Sequence, residues 1–261
     1  MSNPSEQSPS ELNPFHLAGR TALVTGGGRG LGAGITRAML DAGADVIVYG
    51  RSDLPMELVA YAAERGRAID LYSIDLSDAD AIASVSARVL AERRVDILVN
   101  NAGTQERHPA VDFPLADFDR VMNVNLRSVF QLCQIFGAPM LGRGDGKIVN
   151  MASLLSFQGG VTVPAYAASK GAVAQLTKSL CNEWSSKGVN VNAVAPGYMA
   201  TEMNEALLAD PVRMEQLSVR IPASRWGQPE DIGNVVVFLA SPASAYIHGQ
   251  ILAVDGGWLA R

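Results

Sequence analysis

The sequence predicts an α/β protein, a single-domain, doubly wound parallel sheet with helices on both faces. Three observations carry that prediction. Short apolar β-type runs alternate with longer amphipathic helical stretches from Arg20 to the end of the chain. The connections are short, and no composition shift marks a domain linker. The residues with chemical potential fall at the carboxyl ends of the runs or on the helices just beyond, where open α/β sheets bind ligands.

The first run is Arg20 to Thr25. It leads directly into Gly26-Gly-Gly28-Arg29-Gly30-Leu31-Gly32 and an amphipathic helix to about Ala42. Strand, glycine turn and helix are the parts of a Rossmann-type dinucleotide site. Glycine lets the backbone turn tightly and approach a pyrophosphate, and the helix N-terminus attracts its charge. The spacing is Gly-x-x-x-Gly-x-Gly rather than the commoner Gly-x-Gly-x-x-Gly. The second run, Gly43 to Tyr49, ends in Gly50-Arg51-Ser52. A carboxylate at that end would select NAD through the ribose 2′-hydroxyl. Arg51, with Arg29, instead offers positive charge where the 2′-phosphate of NADP would lie; the alternative is two surface arginines.

Ala68 to Ile74 is the third run, ending in Asp75-Leu76. Asp75 is a candidate acceptor for the adenine amino group, or else the cap of a helix starting near Asp78. The fourth, Val95 to Val99, precedes Asn100-Asn101-Ala102-Gly103, small and amide residues suited to close passage of a cofactor. Ala116 to Phe136 reads as one long helix containing Asn123 and Asn125. Lys147 to Ala152 is the fifth run and ends at Ser153. A second long helix, Val161 to Ser186, carries Tyr166 and Lys170. Val189 to Ala195 is the sixth run and ends in Pro196-Gly197-Tyr198-Met199. Residues from about 200 to 222 read as a substrate flap. A helix from Pro229 to Leu239 and a last strand, Gly249 to Val254, close the chain.

Tyr166 and Lys170 stand one helical turn apart on one face. A phenol holds its proton to a pKa of about 10. A neighbouring ammonium is expected to lower that value and make the tyrosine an acid or base near neutrality. A hydroxyl at Ser153 is placed to hold a carbonyl oxygen while the phenol protonates it. The set suits carbonyl reduction or alcohol oxidation.

Composition narrows the rest. With 261 residues and 48% apolar content, one large domain can bury a substantial core. A net charge of -5 without a basic run argues against nucleic-acid binding. Cys133 and Cys181 lie in apolar helical patterns without metal-ligand spacing, which points to reduced thiols and a cytoplasmic location. No apolar stretch reaches membrane-spanning length. Residues 1–14 are polar, lack a signal-peptide core and are expected to form a disordered tail ahead of a domain over 15–261.

The pieces Thr25-Gly26-x-x-x-Gly30-x-Gly32, Asn100-Asn101-Ala102-Gly103, Asn125, Ser153, Tyr166-x-x-x-Lys170 and Pro196-Gly197 resemble the short-chain dehydrogenase/reductase family, from Leu17 to Arg261. The resemblance implies Tyr166 as general acid/base, Ser153 as carbonyl orienter, Lys170 on the nicotinamide ribose and Asn125 holding a relay water. It implies Asn101 and Asp75 on the adenosine side, Met199 and Thr201 near the carboxamide or pyrophosphate, and a homotetramer. A narrower likeness runs through Ala152 to Gly160, Asn182-Glu-Trp184, Ala195 to Thr201, Arg225-Trp-Gly227 and Ala253 to Leu259. It is to sugar-acid dehydrogenases acting on 2-deoxy-D-gluconate or 2-dehydro-3-deoxy-D-gluconate, with gluconate 5-dehydrogenases close by. That subgroup is mostly NAD-linked, so NAD stands beside NADP as the implied cofactor. For the substrate carboxylate the candidate clamp is Arg107, or else Arg107 is a solvated loop residue. Gln158 and His108 are weaker candidates for sugar hydroxyls. A 3-ketoacyl-thioester reductase and a non-catalytic dinucleotide binder share parts of the pattern.

Overall fold

The structure is a computed structural model, and it describes residues 13–202 and 210–261. Among these, seven strands form one sheet in the order β3-β2-β1-β4-β5-β6-β7. The strands are β1 Thr21–Thr25, β2 Asp45–Gly50, β3 Ile69–Ser73, β4 Ile97–Asn100, β5 Gly146–Met151, β6 Val189–Pro196 and β7 Ile251–Val254. Every neighbouring pair is parallel. The order reverses between β1 and β4, and a reversal of this kind opens a crevice at the strands' carboxyl ends.

Alternation along the strands builds two cores. Val24, Val46, Val48, Val99 and Val149 face one side, and pack with α1 (Gly30–Asp41), α2 (Met56–Glu64) and α8 (Pro229–Ala240). Leu23, Ile47, Leu98 and Ile148 face the other, against α3 (Ala79–Glu92), α5 (Ser128–Arg143) and α6 (Pro164–Trp184). Successive strand side chains point to opposite faces, so a strand covered on both sides must be apolar throughout. The runs in the sequence have that character for this reason.

The expected long helix over 116–136 is broken. Residues Leu115–Met122 form α4, Asn123–Arg127 a π turn, and α5 continues to Arg143. The wider turn coincides with Asn125, whose residue is fully buried and whose amide bonds both backbone groups of Thr104 at 2.8 Å. Helical periodicity carries no signal for one extra residue in a turn.

The expected cap at Asp75 is also corrected. Asp78 caps α3 by accepting from the backbone N–H of Asp80 and Ala81. Asp75 instead accepts from the N–H and the hydroxyl of Ser77, both at 2.8 Å. These bonds hold its carboxyl below the usual range.

Of the tail expected over 1–14, residues 1–12 lie outside the described residues. Pro14 accepts from Ala243 N–H at 3.0 Å, and Leu17 is buried in the core. Of the flap expected over about 200–222, residues 203–209 lie outside the described residues. Its second half contains α7 (Pro211–Ser218).

Candidate active site

The glycine turn is shaped by what it must avoid. Gly26 and Gly30 have φ of +65° and +51°, the left-handed region that glycine tolerates. A Cβ on Gly32 would collide with the Gly26 carbonyl oxygen and lie 2.7 Å from Asn101 Nδ2. Gly28 differs: its Cβ direction is open, with Leu54 and Pro55 side chains at 3.7 and 3.8 Å. Helix α1 then starts with no acidic residue in its first turn and no side-chain cap on its N–H groups. Free N–H donors, a helix dipole and an open glycine face fit a pyrophosphate.

Asn101 is committed to the protein. Its amide donates to the Thr25 carbonyl at 2.9 Å, while the Thr25 hydroxyl accepts from the N–H of both Asn101 and Ala102 at 2.9 Å. Asn101 therefore clamps the glycine turn to the end of β4. Thr25 was legible only as part of a motif, and its bridging role needs β1 beside β4.

Gly103 is where the elements meet. A Cβ there would lie 3.3 Å from Asn125 Oδ1 and 3.8 Å from Lys170 Nζ. Asn125 also donates to Ser169 Oγ at 3.1 Å, and Ser169 donates to the Tyr166 carbonyl at 2.8 Å. Ser169 was missed in the sequence, although its place one residue before Lys170 was the available signal. Lys170 is buried and donates from Nζ to the Met151 carbonyl at 2.6 Å, with Nζ 5.7 Å from the centre of the Tyr166 ring. Ser153 follows β5, and its side chain stands close enough to the Tyr166 phenol to oppose the rise in that phenol's pKa. Ser153, Tyr166, Lys170 and Asn125 thus form one cluster.

The electrostatics depart from expectation. Burial pushes the Tyr166 phenol above its ordinary value, and the Ser153 side chain only opposes that rise. Burial also lowers Lys170 to about 8. The ammonium expected to acidify the phenol is itself destabilised and turned to a backbone carbonyl. Desolvation acts on both groups and sets the direction of both shifts.

The remaining predicted residues divide. Thr201 faces the glycine turn, its Cβ 4.0 Å from where Gly30 would carry one. Pro196 ends β6, and Gly197 N–H is bound to the Val254 carbonyl at 2.9 Å. Met199 is buried and forms a bridge to Gly227. Leu76 is buried with the core beyond β3, while Ala102 packs beside that core. Leu31 packs against the opposite core. Arg29 is exposed and pairs with Glu202 at 3.3 Å. Arg51 is exposed, with Asp75 at 4.0 Å.

Arg107 is exposed; the Gln105 amide, with its oxygen turned toward it, accepts from Nε at 3.2 Å and Nη2 at 2.9 Å. Its neighbour His108 is tied down, by Nε2 to Asp117 at 2.9 Å and by N–H to the Thr162 carbonyl at 3.0 Å. Those two bonds fix where the His108 ring stands in the loop. Gln158 accepts from the Trp258 indole N–H at 3.2 Å, so the C-terminal segment reaches the turn after Ser153.

A glycine turn at the sheet's switch point, with a half-buried Ser-Tyr pair over a buried lysine on the same rim, defines a dinucleotide-dependent oxidoreductase. The comparisons agree. Residues 26–259 match the family model described as enoyl-(acyl carrier protein) reductase. A 2-dehydro-3-deoxy-D-gluconate 5-dehydrogenase of Bacillus subtilis (strain 168) is 52% identical over 247 residues, 95% of this chain and 97% of that protein. A solved structure of a proposed NAD(P)-dependent gluconate 5-dehydrogenase from Beutenbergia cavernae, with NADP at low occupancy, superposes with a TM-score of 0.92. It is 49% identical over 95% of this chain and 100% of that one. A proposed 2-deoxy-D-gluconate 3-dehydrogenase from Agrobacterium tumefaciens, with bound NADP, gives a TM-score of 0.88, 49% identity and coverage of 95% and 100%. The chain belongs to the short-chain dehydrogenase/reductase family and is an NAD(P)-dependent oxidoreductase that interconverts an alcohol and a ketone.

Proposed function

We propose that this enzyme acts on a keto-deoxy sugar acid of the 2-dehydro-3-deoxy-D-gluconate type, with Tyr166 as the acid/base. The cluster of Ser153, Tyr166 and buried Lys170, with Lys170 Nζ 5.7 Å from the centre of the Tyr166 ring, carries the chemical part of the reading. The substrate class is supported by 52% identity across nearly the whole chain to a relative of that activity. A bound nicotinamide supplies the hydride donor or acceptor. In alcohol oxidation the substrate hydroxyl gives its proton to the Tyr166 phenolate as the carbon loses hydride; in ketone reduction Tyr166 returns it. Ser153 holds the substrate oxygen, and Lys170 and Asn125 support the proton path. Arg107 is the proposed carboxylate clamp, with Gln158 on a sugar hydroxyl.

We place NADP ahead of NAD as the cofactor. Arg51 presents an exposed guanidinium at the end of β2, and both similar solved structures hold NADP. Glu202 already engages Arg29, which leaves Arg51 as the principal candidate for a 2′-phosphate. The assembly we propose is a homotetramer. Tyr246 is 99% exposed and Leu252 39%, beside a groove of about 610 Å³ at the edge strand β7, a surface that association would cover. The cytoplasm is the proposed location, in keeping with two free buried thiols.

The test is turnover of NADPH and NADH with a panel of keto sugar acids, gluconate and an acetoacetyl thioester. Reduction of 2-dehydro-3-deoxy-D-gluconate analogues, abolished in Tyr166→Phe, is the expected result. Thioester reduction without sugar-acid activity would overturn the substrate assignment. Equal affinity for both dinucleotides in the parent and in Arg51→Ala would overturn the cofactor assignment.

A further inference from the structure

We infer that Ser156 is a positioning residue for the reaction, its hydroxyl fastening the Ser153 turn to helix α6 at Lys170. The inference rests on the acid/base reading of Ser153, Tyr166 and Lys170. Ser156 Oγ accepts from the Ser153 backbone N–H at 3.3 Å and donates to the Lys170 carbonyl at 2.7 Å. A hydroxyl has one proton, so donation to Lys170 sets its orientation, and its lone pairs face Ser153.

The first of these bonds is local. It closes the capping box of the short 3-10 turn Leu154–Ser156, in which Ser153 Oγ also accepts from Leu155 N–H at 3.2 Å. The second bond is not required by that turn. It crosses to a helix and ends on the backbone of the residue whose side chain is the buried lysine. A mid-helix carbonyl accepts one bond within its helix and keeps a second lone pair, which is the one Ser156 uses.

The geometry has a direct consequence. Ser153 and Tyr166 stand on separate elements, and their hydroxyls must meet. The outer side of the turn is held elsewhere: Leu154 packs with Trp226 and Trp258, and Gln158 accepts from Trp258. Those contacts tie it to the C-terminal segment rather than to α6. Ser156 ties the turn itself to the helix backbone, beside the Lys170 Nζ bond that holds the Met151 carbonyl just ahead of it. Losing the Ser156 tie lets Ser153 move relative to Tyr166 without disturbing the glycine turn.

The test compares Ser156→Ala, Ser156→Thr and Tyr166→Phe with the parent enzyme. Measured are kcat, KM for substrate and dinucleotide, the pH profile of kcat/KM, and Tm. In Ser156→Ala, kcat should fall roughly 10- to 100-fold, the scale of a small misplacement of reacting groups, with dinucleotide KM within about twofold. The alkaline limb of the profile should move to higher pH, because the Ser153 side chain that opposes the phenol's rise is displaced. Ser156→Thr, which keeps the hydroxyl, should recover most of kcat. A parent-like kcat and an unmoved limb in Ser156→Ala would overturn the inference. So would a fall in kcat that only tracks lost Tm and dinucleotide affinity. Turnover surviving in Tyr166→Phe would instead remove the acid/base reading beneath it. An inactive Tyr166→Phe beside a parent-like Ser156→Ala would sink the positioning role alone.

Discussion

Lys170 shows what a catalytic cluster costs its own protein. Its pKa of about 8 in the fold lies below the ordinary 10.5. A base whose pKa is lowered by folding disfavours the folded state while it is charged. The penalty is fully present below about pH 8 and fades as pH rises from there to 10.5. Lys170→Met should therefore abolish turnover yet raise stability at pH 7 by about 1–3 kcal/mol, allowing for the lost bond to Met151. Denaturant melts of parent and variant check this, and a destabilised variant would count against it. The same burial sets the pH dependence. With Tyr166 raised and Lys170 at about 8, alcohol oxidation should climb on the alkaline side, with its limb at or above about 8. Initial rates of oxidation from pH 6 to 11 would show it.

At the scale of elements, the glycine turn separates two meanings of one residue type. Gly32 is glycine because a Cβ would strike the Gly26 carbonyl, whereas Gly28 has room for one. Gly32→Ala should lose both stability and dinucleotide binding. Gly28→Ala should keep Tm within about 2 °C, as an unstrained substitution does. Its added methyl would still stand where a pyrophosphate passes, and its dinucleotide Kd should rise about tenfold or more. Thermal melts with dinucleotide titrations distinguish the two. The π turn at Asn123–Arg127 belongs to the same scale. It aims Asn125 at Thr104 and Ser169, which an unbroken α-helix over 116–136 would not do.

Across the whole molecule the sheet's two ends do different work. The carboxyl end carries the chemistry. The opposite end is stapled by charge. Asp96 is 3% exposed, accepts from Thr21 N–H at 3.0 Å, and pairs with Arg94 at 2.6 Å, Arg20 at 3.5 Å and Arg143 at 3.8 Å. Asp145 joins Arg20 and Arg94 from the start of β5. Removing the buried carboxylate leaves Asp145 alone to balance three guanidinium groups and leaves Thr21 N–H without its acceptor. Asp96→Ala should cost about 1–3 kcal/mol in urea unfolding, mainly the lost acceptor of Thr21 N–H, with kcat/KM per folded molecule unchanged. Assembly is decided on this scale as well. Tyr246→Glu should shift the enzyme to smaller species in sedimentation velocity if β7 edges are buried between copies.

The sequence by itself determined the sheet, the glycine turn and the identity of Ser153, Tyr166 and Lys170. Strand runs covered on both faces are apolar, turns that need positive φ are glycine, and a helical face repeats every turn. Each is a local rule that leaves a local mark. Only the tertiary structure decided that Asn101 clamps β4 to the glycine turn and that Arg29 is shared with Glu202. It alone showed Ser156 joining a turn to a helix, and burial raising the Tyr166 phenol while lowering Lys170. Those outcomes depend on which distant residues meet and on how much water they lose. Desolvation and cross-chain hydrogen bonds have no period along the sequence.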